Sequence, residues 1–219
     1  QGLYIKPTEL TGPNQMATDL FLLEKSFTKN DFSFAIRFYT WDGNWLSIGR
    51  NQKFIPEKWI ELSKTKRIRI VRRPSGGQTV LHSSGLTYAL IWRSPPKNKK
   101  QSYLTTTKWL TTGFKKVGID LFPGDQSASI INSNCFSTST VADLVDRDGN
   151  KYIGSAQFWK KGHLLQHGEI LIEPSQSLWE EIFNTSPPKI EISNTQKNKL
   201  LKYLKESITS SWDKLSWKS

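Results

Sequence analysis

The chain has 219 residues with 31 Lys and Arg against 19 Asp and Glu, a formal net charge of +12. That length supports a core without staples, and a single cysteine excludes an internal disulfide, which points to a reducing, cytoplasmic setting. The first thirty residues contain no long apolar run, so neither a signal peptide nor a spanning helix is expected.

Taken in order, Asn14 to Glu24 reads as an amphipathic helix with Met16, Leu20 and Leu23 on one side and Asn14 as its cap. Phe34 to Tyr39 reads as a strand, Asp42-Gly43-Asn44 as a turn, and Trp45 to Gly49 as a second strand. Pro56 to Lys64 suits a short helix. Arg67 to Arg72 alternates with period two, as a half-buried strand does. Thr79 to His82 and Leu86 to Trp92 follow as strands, Pro95 to Lys100 as a basic loop, and Tyr103 to Val117 as a helix.

Ala142 to Val145 and Lys151 to Ile153 flank Asp146-Arg147-Asp148-Gly149-Asn150. The Asp-Gly step predicts a hairpin turn rather than a calcium loop, whose closing Glu is absent. Leu164 to Glu173 is a further strand. Thr195 to about Trp212 is a closing helix, with Lys197, Lys199, Lys202 and Lys205 on its solvated face. Strands in pairs and triplets, with helices between the groups, predict an α+β domain of mixed and antiparallel sheets over residues 1–219.

Arg72-Arg73-Pro74-Ser75-Gly76-Gly77-Gln78 carries the most specific chemistry. Two glycines allow close approach of backbone N–H groups to a ligand, and two arginines suit a phosphate or carboxylate. A hairpin after a basic strand is the plainer reading. No Lys-Ser/Thr follows the glycines, so the segment is not a P-loop. His82 closes the next strand and is placed to face the same pocket. Three histidines and one cysteine are not spaced as a metal site, so no metal is expected. Cys135, in Ser133-Asn134-Cys135-Phe136, precedes Lys151 by sixteen residues; a thiolate beside an ammonium suits acyl transfer through a thioester.

The run from Arg72 to His82 resembles the signature of the biotin/lipoate protein ligase and transferase superfamily. Lys151 with Gly154-Ser155-Ala156-Gln157, then Gln166-His167-Gly168, resembles its second half. Arg37 to Trp41, Leu46 to Gly49 and Asn14 to Ala17 resemble its N-terminal blocks. The likeness runs from about residue 14 to about residue 173.

The Cys135-Phe136 step resembles the cysteine-dependent octanoyltransferases among the lipoate-protein ligase A-like members. The likeness implies a class II synthetase-like catalytic domain. It also implies Cys135 as acyl-bearing nucleophile and Lys151 as the group that activates it. Arg72, Arg73, Ser75, Gly76, Gly77, Gln78, His82, Gly154, Ser155, Ala156, Gln157, His167 and Gly168 become the substrate-binding residues. Backbone N–H groups near Gly76, Gly77 or Gly154 would hold the oxyanion, and Val80, Tyr88 or Phe136 would line an acyl slot.

Gln78 stands where those transferases carry Arg, and Ser83 where an Asp commonly follows the histidine. The implied donor is an octanoyl group on an acidic acyl carrier protein. The implied acceptor is a lysine of a lipoyl domain or glycine-cleavage carrier protein. No cofactor, nucleic acid or membrane is implied, and a monomer is expected. Two alternatives stand beside this. One is an ATP- and Mg²⁺-dependent lipoate or octanoate ligase working through an acyl-adenylate, although no length remains after Pro188 for the accessory domain of larger ligases. The other is a non-catalytic binding module, supported only by the basic surface.

Overall fold

The computed structural model describes residues 1–29, 31–124 and 142–219. An eight-stranded sheet of order β11-β1-β2-β6-β10-β9-β8-β7 lies against a three-stranded sheet of order β4-β3-β5. The large sheet comprises β1 (Gly2–Leu10), β2 (Phe34–Trp41), β6 (Leu86–Trp92), β7 (Phe122–Pro123), β8 (Asp143–Val145), β9 (Lys151–Lys160), β10 (His163–Ile170) and β11 (Trp217–Lys218). The small sheet comprises β3 (Trp45–Ile48), β4 (Arg69–Arg72) and β5 (Val80–His82). Strand β1 pairs in parallel with β2 and β11, and β3 with β4; the other pairs are antiparallel. The expected α+β class with mixed sheets is what the chain adopts.

The helices are α1 (Gly12–Thr28), α2 (Glu57–Lys64), α3 (Lys99–Lys116), α4 (Gln176–Phe183) and α5 (Asn194–Ser211). Several caps explain their limits. Thr11, rather than the expected Asn14, caps α1 by accepting from the Asn14 N–H, and Pro13 fits its first turn. Ser193 and Gln196 close α5 with reciprocal side-chain to backbone bonds.

Strand β2 is buried on both faces, so its alternation sorts residues between two cores. Phe34, Ile36 and Phe38 join Tyr88, Leu90, Trp109, Phe114, Leu200 and Leu204 under α3 and α5. Ala35, Tyr39 and Trp41 join Met16, Leu22, Leu23, Ala89, Ile91 and Leu165 under α1. A third cluster, with Leu46, Ile48, Ile68 and Leu81, packs the small sheet on α2 and α4 through Trp59, Leu178 and Ile182.

Arg37 falls on the α1 face, among apolar neighbours, and is 1% exposed. Its Nη1 donates to Asp19 Oδ1 at 2.8 Å and to the Gln15 carbonyl at 3.2 Å, and its Nη2 to Gln15 Oε1. Tyr39 donates its hydroxyl to the same carboxylate at 3.1 Å. Burial, reinforced by Asp19, holds the Tyr39 phenol well above its usual range.

The loop after β4 is seated on the end of β3. The Arg73 N–H donates to the Ile48 carbonyl at 3.0 Å and Arg50 N–H to the Ser75 carbonyl at 2.9 Å. A Cβ on Gly49 would stand 2.0 Å from the Gly77 carbonyl oxygen, a backbone atom, so only glycine permits this approach.

Two measurements check this packing. Asp19→Ala leaves the buried Arg37 charge without its carboxylate and lowers unfolding free energy by about 3–5 kcal/mol in denaturant titration; a loss within error would show that the pair does not hold α1 to β2. Gly49→Ala forces the 76–78 backbone aside and lowers stability by about 1–3 kcal/mol; an unchanged melting temperature would contradict the close approach.

Candidate active site

A cavity of ≈ 420 Å³ lies between the two sheets, within the usual range of about 300–1,000 Å³ for small-molecule sites. Met16, Tyr39, Trp41 and Val80 give it an apolar portion, and Lys151, Asp143, Gln78 and the 77–79 backbone a polar one.

Two hydrogen-bonded chains of the order Ser–His–carboxylate cross between the sheets. Ser75 Oγ meets His167 Nε2, and His167 Nδ1 lies 3.1 Å from Asp19 Oδ2. Ser47 Oγ lies 2.7 Å from His82 Nε2, and His82 Nδ1 lies 2.7 Å from Glu169 Oε2. A carboxylate only accepts, so each Nδ1 carries a hydrogen and, in the neutral ring, each Nε2 accepts from its serine. Thr87 also donates to Glu169, and Trp41 Nε1 donates to Thr87 Oγ1 at 2.8 Å. The Trp41 ring stacks on His82 with centroids 4.1 Å apart and planes 17° from parallel. These contacts fix both imidazoles at the cavity wall.

Arg73 works from within the loop. Its Nη1 donates to the Ser47 carbonyl at 2.7 Å, and its Nη2 to the carbonyls of Gly76 at 2.8 Å and Gln78 at 2.6 Å. Burial pulls its guanidinium down to about 10. Gly77 takes φ +93°, the left-handed region that glycine adopts without strain. Arg72 Nη1 instead reaches the carbonyls of Gly49 and Gln52 at 2.9 and 2.7 Å. Both arginines, expected to suit a phosphate or carboxylate, brace backbone carbonyls of the loops they belong to or adjoin.

Lys151 stands at the rim, its side chain 45% exposed, with Nζ 2.8 Å from Asp143 Oδ1. The local register explains its aim. Leu144 pairs with Ile153 and Val145 with Lys151, so Tyr152 is an extra residue in β9. This β-bulge turns Lys151 onto the face of Gly154, the partner of Asp143 in the ladder. A Cβ on Gly154 would lie 2.9 Å from Lys151 Cε, so the missing side chain is the space in which the lysine stem lies. The turn at 146–150 is the expected hairpin: Asp146 Oδ1 accepts from the N–H groups of Asp148 and Asn150, and Gly149 has φ +83°.

Of the residues singled out in the sequence, the cavity wall brings together Arg73, Gly77, Gln78, Val80, His82, Lys151, Gly154, Ser155, Ala156, His167 and Gly168. Arg72, Ser75, Gly76 and Gln157 are not on that wall. Ser75 acts through His167, and Gln157 donates to Gln166 Oε1 at 2.7 Å on the opposite sheet face. Tyr88 is likewise buried beneath the wall, its hydroxyl 2.7 Å from Ser155 Oγ, and burial raises its phenol. Cys135 and Phe136 lie outside the described residues. Among the described residues no cluster of three or more His, Cys, Asp or Glu side chains is arranged to hold a metal ion.

Sequence reasoning missed Asp143, Glu169, Asp19, Ser47 and Thr87. Two of these were within reach of simple arithmetic. Glu169 follows His167 by two on one strand, and Asp143 faces Lys151 across an Asp-Gly hairpin.

The octanoyltransferase LipM of Carboxydothermus hydrogenoformans is 34% identical over 177 residues, covering 78% of this chain and 64% of that protein. The chain therefore spans less than two thirds of that relative's length. A lipoate-protein ligase A solved with ATP superposes with TM-score 0.74 at 18% identity, covering 100% of this chain and 89% of that one. The bipartite lipoate protein ligase of Thermoplasma acidophilum, studied with its E2 lipoyl domain, gives TM-score 0.75 at 15% identity, covering 100% and 86%. The model of the lipoyl protein ligase A/B catalytic domain matches residues 12–210, so the chain belongs to that family.

Proposed function

We propose that the protein is an octanoyltransferase that moves an acyl group from an acidic acyl carrier protein to a lysine of a lipoyl domain, through a thioester on Cys135. The observation that carries this reading is the Lys151 ammonium, clamped by Asp143 at the rim of a partly apolar cavity whose glycine-lined wall is rigidly braced. The relative named above as an octanoyltransferase supports the same chemistry.

In the first step the Cys135 thiolate attacks the donor thioester carbon. A carbon–sulfur bond forms to Cys135, and the bond to the carrier sulfur breaks; that thiolate leaves and takes a proton from solvent. An ammonium nearby favours the thiolate form of the attacking cysteine. Backbone N–H groups around Gly77 or Gly154 meet the transient oxyanion, a contribution of about 3–4 kcal/mol per donor where such groups have been removed.

In the second step the neutral ε-amine of the acceptor lysine attacks the acyl-enzyme. The amide bond forms, Cys135 leaves as thiolate, and the one proton lost from the acceptor nitrogen is taken up by Asp143 as Lys151 passes on one of its own, and is then released to solvent. The thioester is already activated, so neither ATP nor Mg²⁺ enters this route. The whole domain, residues 1–219, acts as one catalytic unit working as a monomer in the cytoplasm.

Intact mass spectrometry after incubation with octanoyl carrier protein tests this. The wild type gains one octanoyl group, Cys135→Ser gains none, and Lys151→Ala acylates at least about 100-fold more slowly near neutral pH, the scale of a lost general acid–base group. Modification of the acceptor lysine that requires ATP and Mg²⁺, with no adduct on Cys135, would establish the ligase reading instead. Neither reaction would leave a binding module.

A further inference from the structure

The basic loop at 95–100 has no part in the mechanism above, yet the fold gives it a definite place. Strand β6 ends at Trp92, which pairs with Leu164 of β10, and Lys160 pairs with His163 at the tip of the β9–β10 hairpin. Segments 93–100 and 158–163 therefore emerge at the same end of the large sheet. The first carries Arg93, Lys97, Lys99 and Lys100, the second Lys160 and Lys161, and neither contains an acidic residue.

Lys99 and Lys100 occupy the first turn of α3, where the helix dipole is already positive, and that turn holds no acid. Lys97 and Lys99 are exposed. The turn is stitched back to β9 by Ser102 Oγ, which donates to Gln157 Oε1 at 3.2 Å, so these cations are held over the strand that carries Lys151 and Gly154. Lys160 is joined to Glu24 of α1 at 3.2 Å; Lys161 lies over the Phe27 ring at 4.7 Å.

We infer that this end of the sheet is the docking surface for the acidic donor carrier protein, an inference that rests on the transferase reading. Distance selects the occupant. From Gly154 to Lys160 the strand advances six residues, about 20 Å at ~3.3 Å per residue. Opposite charges of a docked partner are strongly felt only within a Debye length of about 8–10 Å. A partner held by these lysines thus stands away from the reacting centre and must present its thioester on a long, flexible arm. That is the chemistry of a carrier protein. A small free thioester reaches the cavity without touching this surface.

The test compares two donors and two charge-reversed variants of equal net charge. K97E/K99E alters the proposed surface; K199E/K202E alters the α5 face. Rates of Cys135 acylation are measured with octanoyl carrier protein and with the uncharged thioester S-octanoyl-N-acetylcysteamine, and thermal melts check that each variant folds. K97E/K99E lowers kcat/KM for the carrier on the order of tenfold, with a flatter salt dependence, and leaves the uncharged thioester S-octanoyl-N-acetylcysteamine unchanged. K199E/K202E changes neither.

Equal losses in both variants would assign the effect to overall charge and overturn the surface. So would a K97E/K99E variant that matches the wild type with the carrier, or one that loses only affinity for an oligonucleotide. A wild type that accepts acyl groups from neither donor would instead sink the transferase reading, and this inference with it.

Discussion

The carboxylate of Asp19 is the point on which the cavity depends. It is fully buried and accepts from Arg37 and Tyr39 of β2 and from His167 of β10, while its own backbone belongs to α1. A buried carboxylate is tolerated only when its lone pairs are met, so helix and both strands must take up their positions together. Through His167 and Ser75 the constraint extends to the glycine loop on the other sheet. The wall of the cavity is in this way fixed by the core beneath α1, rather than left as a surface turn.

Glu169 repeats the device one pair of residues along the same strand, through His82, to Ser47. Two parallel ties between sheets explain why the loop, although rich in glycine, has a defined shape. Arg73 adds the third restraint by drawing the carbonyls of Ser47, Gly76 and Gln78 toward one guanidinium. With those carbonyls turned to Arg73, the loop presents other parts of its backbone to the cavity. Preorganisation of that kind is what lets backbone dipoles stabilise charge without rearranging at the moment of reaction.

Much of the architecture was legible. The strands at β2, β3 and β6, the helices α1, α3 and α5, and the hairpin at 146–150 follow from periodicity and turn chemistry, with boundaries moved by a few residues. Strand β1 was not legible, because Lys6-Pro7-Thr8 breaks its alternation; the register of β1 on β2 shifts between Ile5 and Thr8. Helix α4 falls in a stretch after Glu173 to which the sequence reading assigned no element, its packing supplied by Trp59 and the small sheet. In the site, resemblance located the histidines and the lysine. The carboxylate partners of the histidines, Asp19 of α1 and Glu169 of β10, stand 148 and 87 residues away from them, and pairing over such sequence distances is a tertiary fact. For the arginines residue type announces charge, whereas the fold decides which acceptors that charge meets, here the carbonyls of the loop. Cys135 falls outside the described residues, so the proposed nucleophile still rests on sequence.

The role found for Arg73 also bears on which reaction the scaffold suits. An acyl-adenylate needs a cation to face its phosphate, and a bidentate guanidinium is well matched to that. Here both terminal nitrogens of Arg73 are engaged by loop carbonyls, and Arg72 points to the 49–52 segment. Turning either toward a phosphate would strip hydrogen bonds from carbonyls at the base of the cavity wall, at a cost comparable to the binding gained. Lys151 remains at the rim, and its charge is already shared with Asp143. A neutral thioester asks for no more than this: a polar spot for one transient oxyanion and an apolar space for a chain. Among the described residues, the charges around the cavity are in this way committed to the protein's own groups, which accords with the proposed transfer between thioester and amine.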